Sequence, residues 1–144
     1  MSTLQILQPP GWARAKGFSN GIACAGKLVF IAGQIGWTGE GKWEARDFAG
    51  QFKQALQNCI DVVAQAGGQP QHIVRLTWYI TSKKEYLASL KEVGAAYRAL
   101  IGRHFPVMAV VEVSALMEDE AKLEIEATAV VPPAVVPPEG AISS

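Results

Sequence analysis

Val107-Met108-Ala109-Val110-Val111-Glu112-Val113-Ser114 is the stretch whose reading decides the fold. It is rich in β-branched residues, which suit a pleated strand. On a strand successive side chains point to opposite faces. One face carries Val107, Ala109, Val111 and Val113, and the other carries Met108, Val110, Glu112 and Ser114. Apolar residues stand on both faces, which predicts a strand covered from both sides.

The cover on one side is legible in the flanking sequence. Tyr86, Leu87, Leu90, Val93, Tyr97, Leu100 and Ile101 form an apolar stripe at helical spacing, which predicts a helix from about Lys83 to Ile101. Ser82 and Glu85 give the S-x-x-E pattern of a capping box at its start, and Gly102 closes it. A second stripe, Phe48, Phe52, Ala55, Leu56, Cys59, Val62, Val63 and Ala66, predicts a helix over Asp47 to Ala66. Asp47 caps that helix and Gly67-Gly68 ends it.

The remaining periodic segments read as strands: Ile22–Ala25, Lys27–Ala32, Ile73–Thr81 and Lys122–Val131. The first two flank Gly26, so a hairpin is expected there. The order ββ-α-β-α-ββ predicts an α+β domain, a mixed sheet with two helices packed on one face. Two helices leave the other face bare, so a homo-oligomer pairing sheet to sheet is expected. Prolines at 132, 133, 137 and 138 cannot donate to a ladder, so the last strand must stop before Pro132. The expected division is therefore one domain over residues 1–131 and a proline-rich tail, extended or disordered, over 132–144.

The chain has 144 residues, a single-domain length, with 13 Lys+Arg against 13 Asp+Glu. That neutral balance gives no field to draw nucleic acid or an anionic membrane. Cys24 and Cys59 are too few and too isolated for a disulfide framework or a zinc site, and Cys59 falls on a helical stripe as a buried, inert thiol. No charged start precedes an apolar run, and no apolar run reaches the roughly 18 residues of a membrane span. The expected location is cytoplasmic.

In order and spacing, a set of short motifs resembles the RidA/YjgF family. Leu28-Val29-Phe30-Ile31-Ala32-Gly33-Gln34-Ile35 looks like its strand ending in (S/A)-G-Q-I, and Gln54-Ala55-Leu56-Gln57-Asn58 like its Q-A-L-x-N helix. Ile73-Val74-Arg75-Leu76-Thr77, Phe105-Pro106, Val111-Glu112-Val113-Ser114-Ala115-Leu116 and Glu124-Ile125-Glu126-Ala127-Thr128-Ala129-Val130 are similar to its later landmarks. The resemblance covers roughly Gly17 to Val131. It implies a chorismate-mutase-like fold of the bacillus type, a homotrimer with clefts between subunits, and hydrolysis of enamines and imines such as 2-aminoacrylate without metal or organic cofactor.

The resemblance also fixes where this chain departs from the family. Active members grip the substrate carboxylate with an arginine two residues after the Phe-Pro proline, and Met108 stands there. A guanidinium holds a carboxylate through two parallel hydrogen bonds, whereas a thioether has no donor. Truncating one partner of a buried charge pair costs about 2–5 kcal/mol, on the order of 30- to 4000-fold in affinity. Phe18 replaces the family tyrosine, Ala32 its serine, and Gly94 its asparagine. The expected ligand-binding residues are Phe18, Ala32, Gly33, Gly94, Met108 and Val110, forming a cleft more apolar than usual, which suits a larger guest. Glu124 matches the family's water-positioning glutamate and is the expected catalytic residue, able to pass protons to and from a water.

Other polar residues have simpler readings. His104 is expected to cap the second helix's C-terminus with Arg103, and His72 to lie on the surface. Trp37 and Trp43 bracket Thr38-Gly39-Glu40-Gly41-Lys42 and are expected to pack together. Arg14 or Lys16 is a candidate to replace the lost cation. Three functions follow: a hydrolase of enamines or imines larger or more apolar than 2-aminoacrylate, a non-catalytic ligand-binding trimer, and a ribonuclease or translation inhibitor. The neutral charge argues against the last.

Overall fold

The computed structural model describes residues 4–133. The elements are β1 (Gln5–Leu7), β2 (Gly21–Ala23), β3 (Lys27–Ile35), α1 (Phe48–Gln65), a 3-10 turn (Pro70–His72), β4 (Ile73–Ile80), α2 (Lys83–Ala88), α3 (Leu90–Leu100), β5 (Val107–Glu112) and β6 (Leu123–Val131). The main sheet has the order β3-β6-β4-β5. β5 runs parallel to β4, while β6 is antiparallel to β3 and β4. This is the α+β, mixed-sheet architecture expected. β6 ends at Val131, before the first tail proline, and the tail beyond Pro133 lies outside the described residues.

α1 forms where its pattern says. Asp47 accepts from the Gly50 N–H at its start, and Gly67, at φ 75°, ends it in the left-handed conformation that glycine adopts without strain. Six of its eight stripe residues (Phe48, Phe52, Ala55, Leu56, Cys59 and Val63) are buried against the sheet, whereas Val62 is exposed and Ala66 half-buried. Burying each large side chain contributes about 1.5–3 kcal/mol. Burial drives the Cys59 thiol up to about 12, the inert behaviour expected of it. β6 alternates cleanly: Leu123, Ile125, Ala127, Ala129 and Val131 face the helices, and Glu124, Glu126 and Thr128 face away.

Two expectations need correction. No hairpin spans Gly26: β2 pairs with β1 (Ile22 opposite Ile6), and β3 pairs with β6 (Lys27 opposite Val131). Gly26, at φ 152°, turns the chain hard against the Val131 carbonyl, so the two strands enter different sheets. The long second helix is broken at Ser89 into α2 and α3. Ser89 Oγ donates to the Glu85 carbonyl at 2.8 Å, a local bond that competes with the helical ladder. As expected, one chain does not by itself cover both faces of β5. It is the sheet's edge strand, with every residue half-buried or exposed.

The face away from the helices is bare in a single chain. Leu28, 60% exposed, and Phe30, 74%, stand on its β3 edge and Val111, 43%, on its β5 edge, with Glu126, Thr77 and Tyr79 on the two strands between. No helix among the described residues is long and apolar enough to cross a membrane.

Candidate functional site

The register of β4 and β5 aligns Leu76 with Met108 and Trp78 with Val110. Leu76 and Trp78 are core residues, so Met108 and Val110 sit on the helix side of the edge strand. A pocket of ≈ 390 Å³ opens there between β5, α3 and the segment ending in Phe18. Phe18 is delivered by its neighbour Ser19, whose N–H donates to the Pro106 carbonyl and whose hydroxyl donates to the Phe105 carbonyl at 2.5 Å. Gly94 of α3 completes the expected set on this side.

The pocket is mostly apolar, and its polar groups are few. Trp78 is 3% exposed, and its indole N–H finds no acceptor among the described residues. Burial raises the Tyr86 hydroxyl above its ordinary value, keeping it a neutral donor and acceptor. Burial raises Tyr97 further; its hydroxyl is committed to the His104 carbonyl, and its ring stacks on Phe105 with planes 3° apart. The charged lining residues are Lys16 and Arg98, and no carboxylate lines the pocket. Of the two candidate replacement cations, Lys16 reaches this pocket, whereas Arg14 lines a separate groove with Trp12 and Ile6. Sequence reasoning missed Arg98. Its signal was the i, i+4 spacing from Gly94, which stacks the two positions on one face of α3.

The other three expected residues lie elsewhere. Ala32 and Gly33 belong to the irregular end of β3, where pairing with β6 shifts between Ile31 and Gln34. Glu124 is half-buried on the side of the sheet that faces away from the helices, opposite Tyr79. A Cβ at Gly33 would lie 2.7 Å from the Glu124 carboxyl carbon, so the missing side chain makes room for that carboxylate. Next along β6, Glu126 accepts a 2.7 Å bond from the Tyr79 hydroxyl. That bond, with desolvation and the charges of Glu126 and Glu124, holds the phenol above its usual range. Within one chain the seven residues therefore form two groups on opposite faces: Phe18, Gly94, Met108 and Val110 in the pocket, and Ala32, Gly33 and Glu124 across the sheet.

The remaining candidates are structural. Trp37 and Trp43 pack with ring centroids 5.9 Å apart, as expected. His104 does not cap α3: its Nε2 lies 2.5 Å from the Ile73 carbonyl and ties the helix exit to β4. His72 is half-buried rather than free on the surface, and its Nδ1 accepts from the Gln69 N–H at the 3-10 turn. Among the described residues no group of three or more His, Cys, Asp or Glu side chains is arranged to hold a metal ion.

Comparison with known proteins places this geometry. The family described as Endoribonuclease L-PSP matches residues 11–131. The 2-iminobutanoate/2-iminopropanoate deaminase of Salmonella typhimurium is 33% identical over 108 residues, covering 73% of this chain and 80% of that protein. The putative reactive intermediate deaminase TdcF of Escherichia coli is 34% identical over 111 residues, with the same coverage. Among solved structures, the Rid-family protein YyfB of Yersinia pestis superposes with a TM-score of 0.77 at 29% identity, covering 90% of this chain and 99% of that one. Escherichia coli TdcF with bound serine superposes at 0.63 and 30% identity, covering 82% and 91%.

Proposed function

This chain belongs to the Endoribonuclease L-PSP family, the RidA/YjgF family of the motifs above, and from that premise we propose that it hydrolyses enamines or imines larger or more apolar than 2-aminoacrylate. The observation that carries this reading is the apolar pocket beside Met108. Relatives are named for 2-iminobutanoate and 2-iminopropanoate, small acids that need a firm grip on the carboxylate. β5 offers no donor from its Met108 side chain, so a small imino acid gains little there. A guest with a bulky side chain gains instead from burial against Phe18, Met108 and Val110.

In this reading the two residue groups meet between chains. The bare sheet face and the largely unpaired β5 edge support assembly, and the family resemblance supports reading the assembly as a homotrimer. The pocket of one copy is completed by Ala32, Gly33 and Glu124 of the next. Glu124 accepts a proton from water as its oxygen adds to the imine carbon. Glu124 returns that proton to nitrogen, giving a carbinolamine; it then takes the hydroxyl proton and delivers it to nitrogen as the C–N bond breaks, so that ammonia leaves and a keto acid remains. Such proton transfer is worth typically 10²–10⁴-fold. The pocket needs no metal or organic cofactor for this chemistry.

The test is ammonia release from 2-imino acids generated in situ from alanine, leucine and phenylalanine. Acceleration is expected for the leucine and phenylalanine products, with on the order of 100-fold loss in Glu124→Ala. No acceleration over spontaneous hydrolysis, combined with ligand binding that Glu124→Ala leaves intact, would favour the non-catalytic ligand-binding trimer.

A further inference from the structure

Gly94 sits inside α3, where glycine costs roughly 0.5–1 kcal/mol relative to alanine. Its φ is not positive, so the backbone does not require it. The atom closest to where its Cβ would stand is Arg98 Nη1, at 3.3 Å. The bare helix surface at position 94 is thus the seat of a guanidinium that lines the same pocket as Met108. Arg98 forms no ion pair among the described residues, whose salt bridges are Lys42–Glu40 and Lys122–Glu85. Lys16 is the pocket's second cation, and no carboxylate lines it.

We propose that Arg98, assisted by Lys16, is the anion clamp of this pocket, and that its ligand is a carboxylate carrying an arylalkyl or branched-alkyl arm. The proposal rests on reading the pocket as the ligand half-site. The two cations belong to exposed residues at the mouth, whereas Trp78, Met108 and Val110 are buried or half-buried within. The charge therefore comes from α3 and the N-terminal segment instead of from β5. A carboxylate held there stands away from the edge strand, and the space between is filled by the ligand's apolar arm. Arginine suits the role because its planar fork matches a carboxylate bidentately.

The test is calorimetric titration of the intact protein with three probes: 3-phenylpropanoate, its uncharged amide 3-phenylpropanamide, and propanoate. The phenyl acid is expected to bind at least tenfold more tightly than either of the others. Arg98→Gln should weaken the acid on the order of 10- to 100-fold, the range of a charged hydrogen bond, and leave the amide unchanged. Lys16→Gln should do the same more weakly. Gly94→Asn should mimic Arg98→Gln by displacing the guanidinium, which guards against a misfolded arginine variant. Equal binding of acid and amide, no binding of either, or an Arg98→Gln protein that binds the acid like the parent overturns the clamp. Arginine-dependent binding without imine turnover upholds the clamp while the hydrolase reading fails. Turnover with an unchanged KM in Arg98→Gln overturns the clamp alone.

Discussion

At position 33 a single added methyl would meet the carboxyl carbon of Glu124 at 2.7 Å. The far end of a glutamate can swing away, so Gly33→Ala is expected to change stability by no more than about 0.5 kcal/mol. Turnover should nevertheless fall on the order of 100-fold, because a catalytic group misplaced by an ångström loses about that much. Parallel melting curves and imine-hydrolysis rates check the split. A large loss of stability with proportionate loss of rate would mean that Gly33 serves folding instead. The two cysteines give a second residue-scale expectation. Cys24 is half-buried, whereas Cys59 is fully buried with its thiol pushed up to about 12. A thiol-specific disulfide reagent at pH 8 should titrate Cys24 in the native protein and both cysteines only in denaturant.

Among the elements, α1 is anchored by more than its apolar stripe. Asn58 is 8% exposed, and its amide donates to the Trp37 carbonyl at 2.8 Å and the Ile35 carbonyl at 3.3 Å. Asn58→Ala leaves both acceptors without this donor and should cost about 1–3 kcal/mol, read from the denaturant midpoint at constant slope. α1 was legible because its stripe, cap and terminal glycines agree with one another. β6 was legible because period-two alternation admits one register. The break at Ser89 was not, since one hydroxyl diverting one carbonyl leaves the apolar period intact. The false hairpin at Gly26 arose because a turn residue between two strands does not say which sheet each strand joins. Of the expected pocket residues, Phe18, Gly94, Met108 and Val110 do share one cavity. Arg98 escaped notice because it lies in the last turn of α3, where a cation already has a reason to be.

For the whole molecule, a buried phenol and a half-buried one set an alkaline limit. Tyr86 and Tyr97 are both raised by burial, Tyr97 the more strongly. Their contribution is undiminished below about pH 10, the ordinary phenol value in the unfolded chain. Above it the unfolded state loses protons that the native state keeps, so stability falls as pH rises. Denaturant midpoints measured from pH 8 to 11 should show this decline, and Tyr97→Phe should flatten it. The bare sheet face sets another property. Phe30→Asp places a charge at a site 74% exposed in the single chain, so it should leave the chain folded while lowering the assembled mass in sedimentation. A variant that sediments like the parent would exclude this face as the interface. The separation of the pocket from Glu124 has a genetic corollary. If the cleft forms between chains as proposed, two proteins, one altered at Arg98 and the other at Glu124, should each turn over poorly yet regain turnover when denatured and refolded together. Random mixing would restore about a quarter of the clefts, each borrowing its intact half from a different parent.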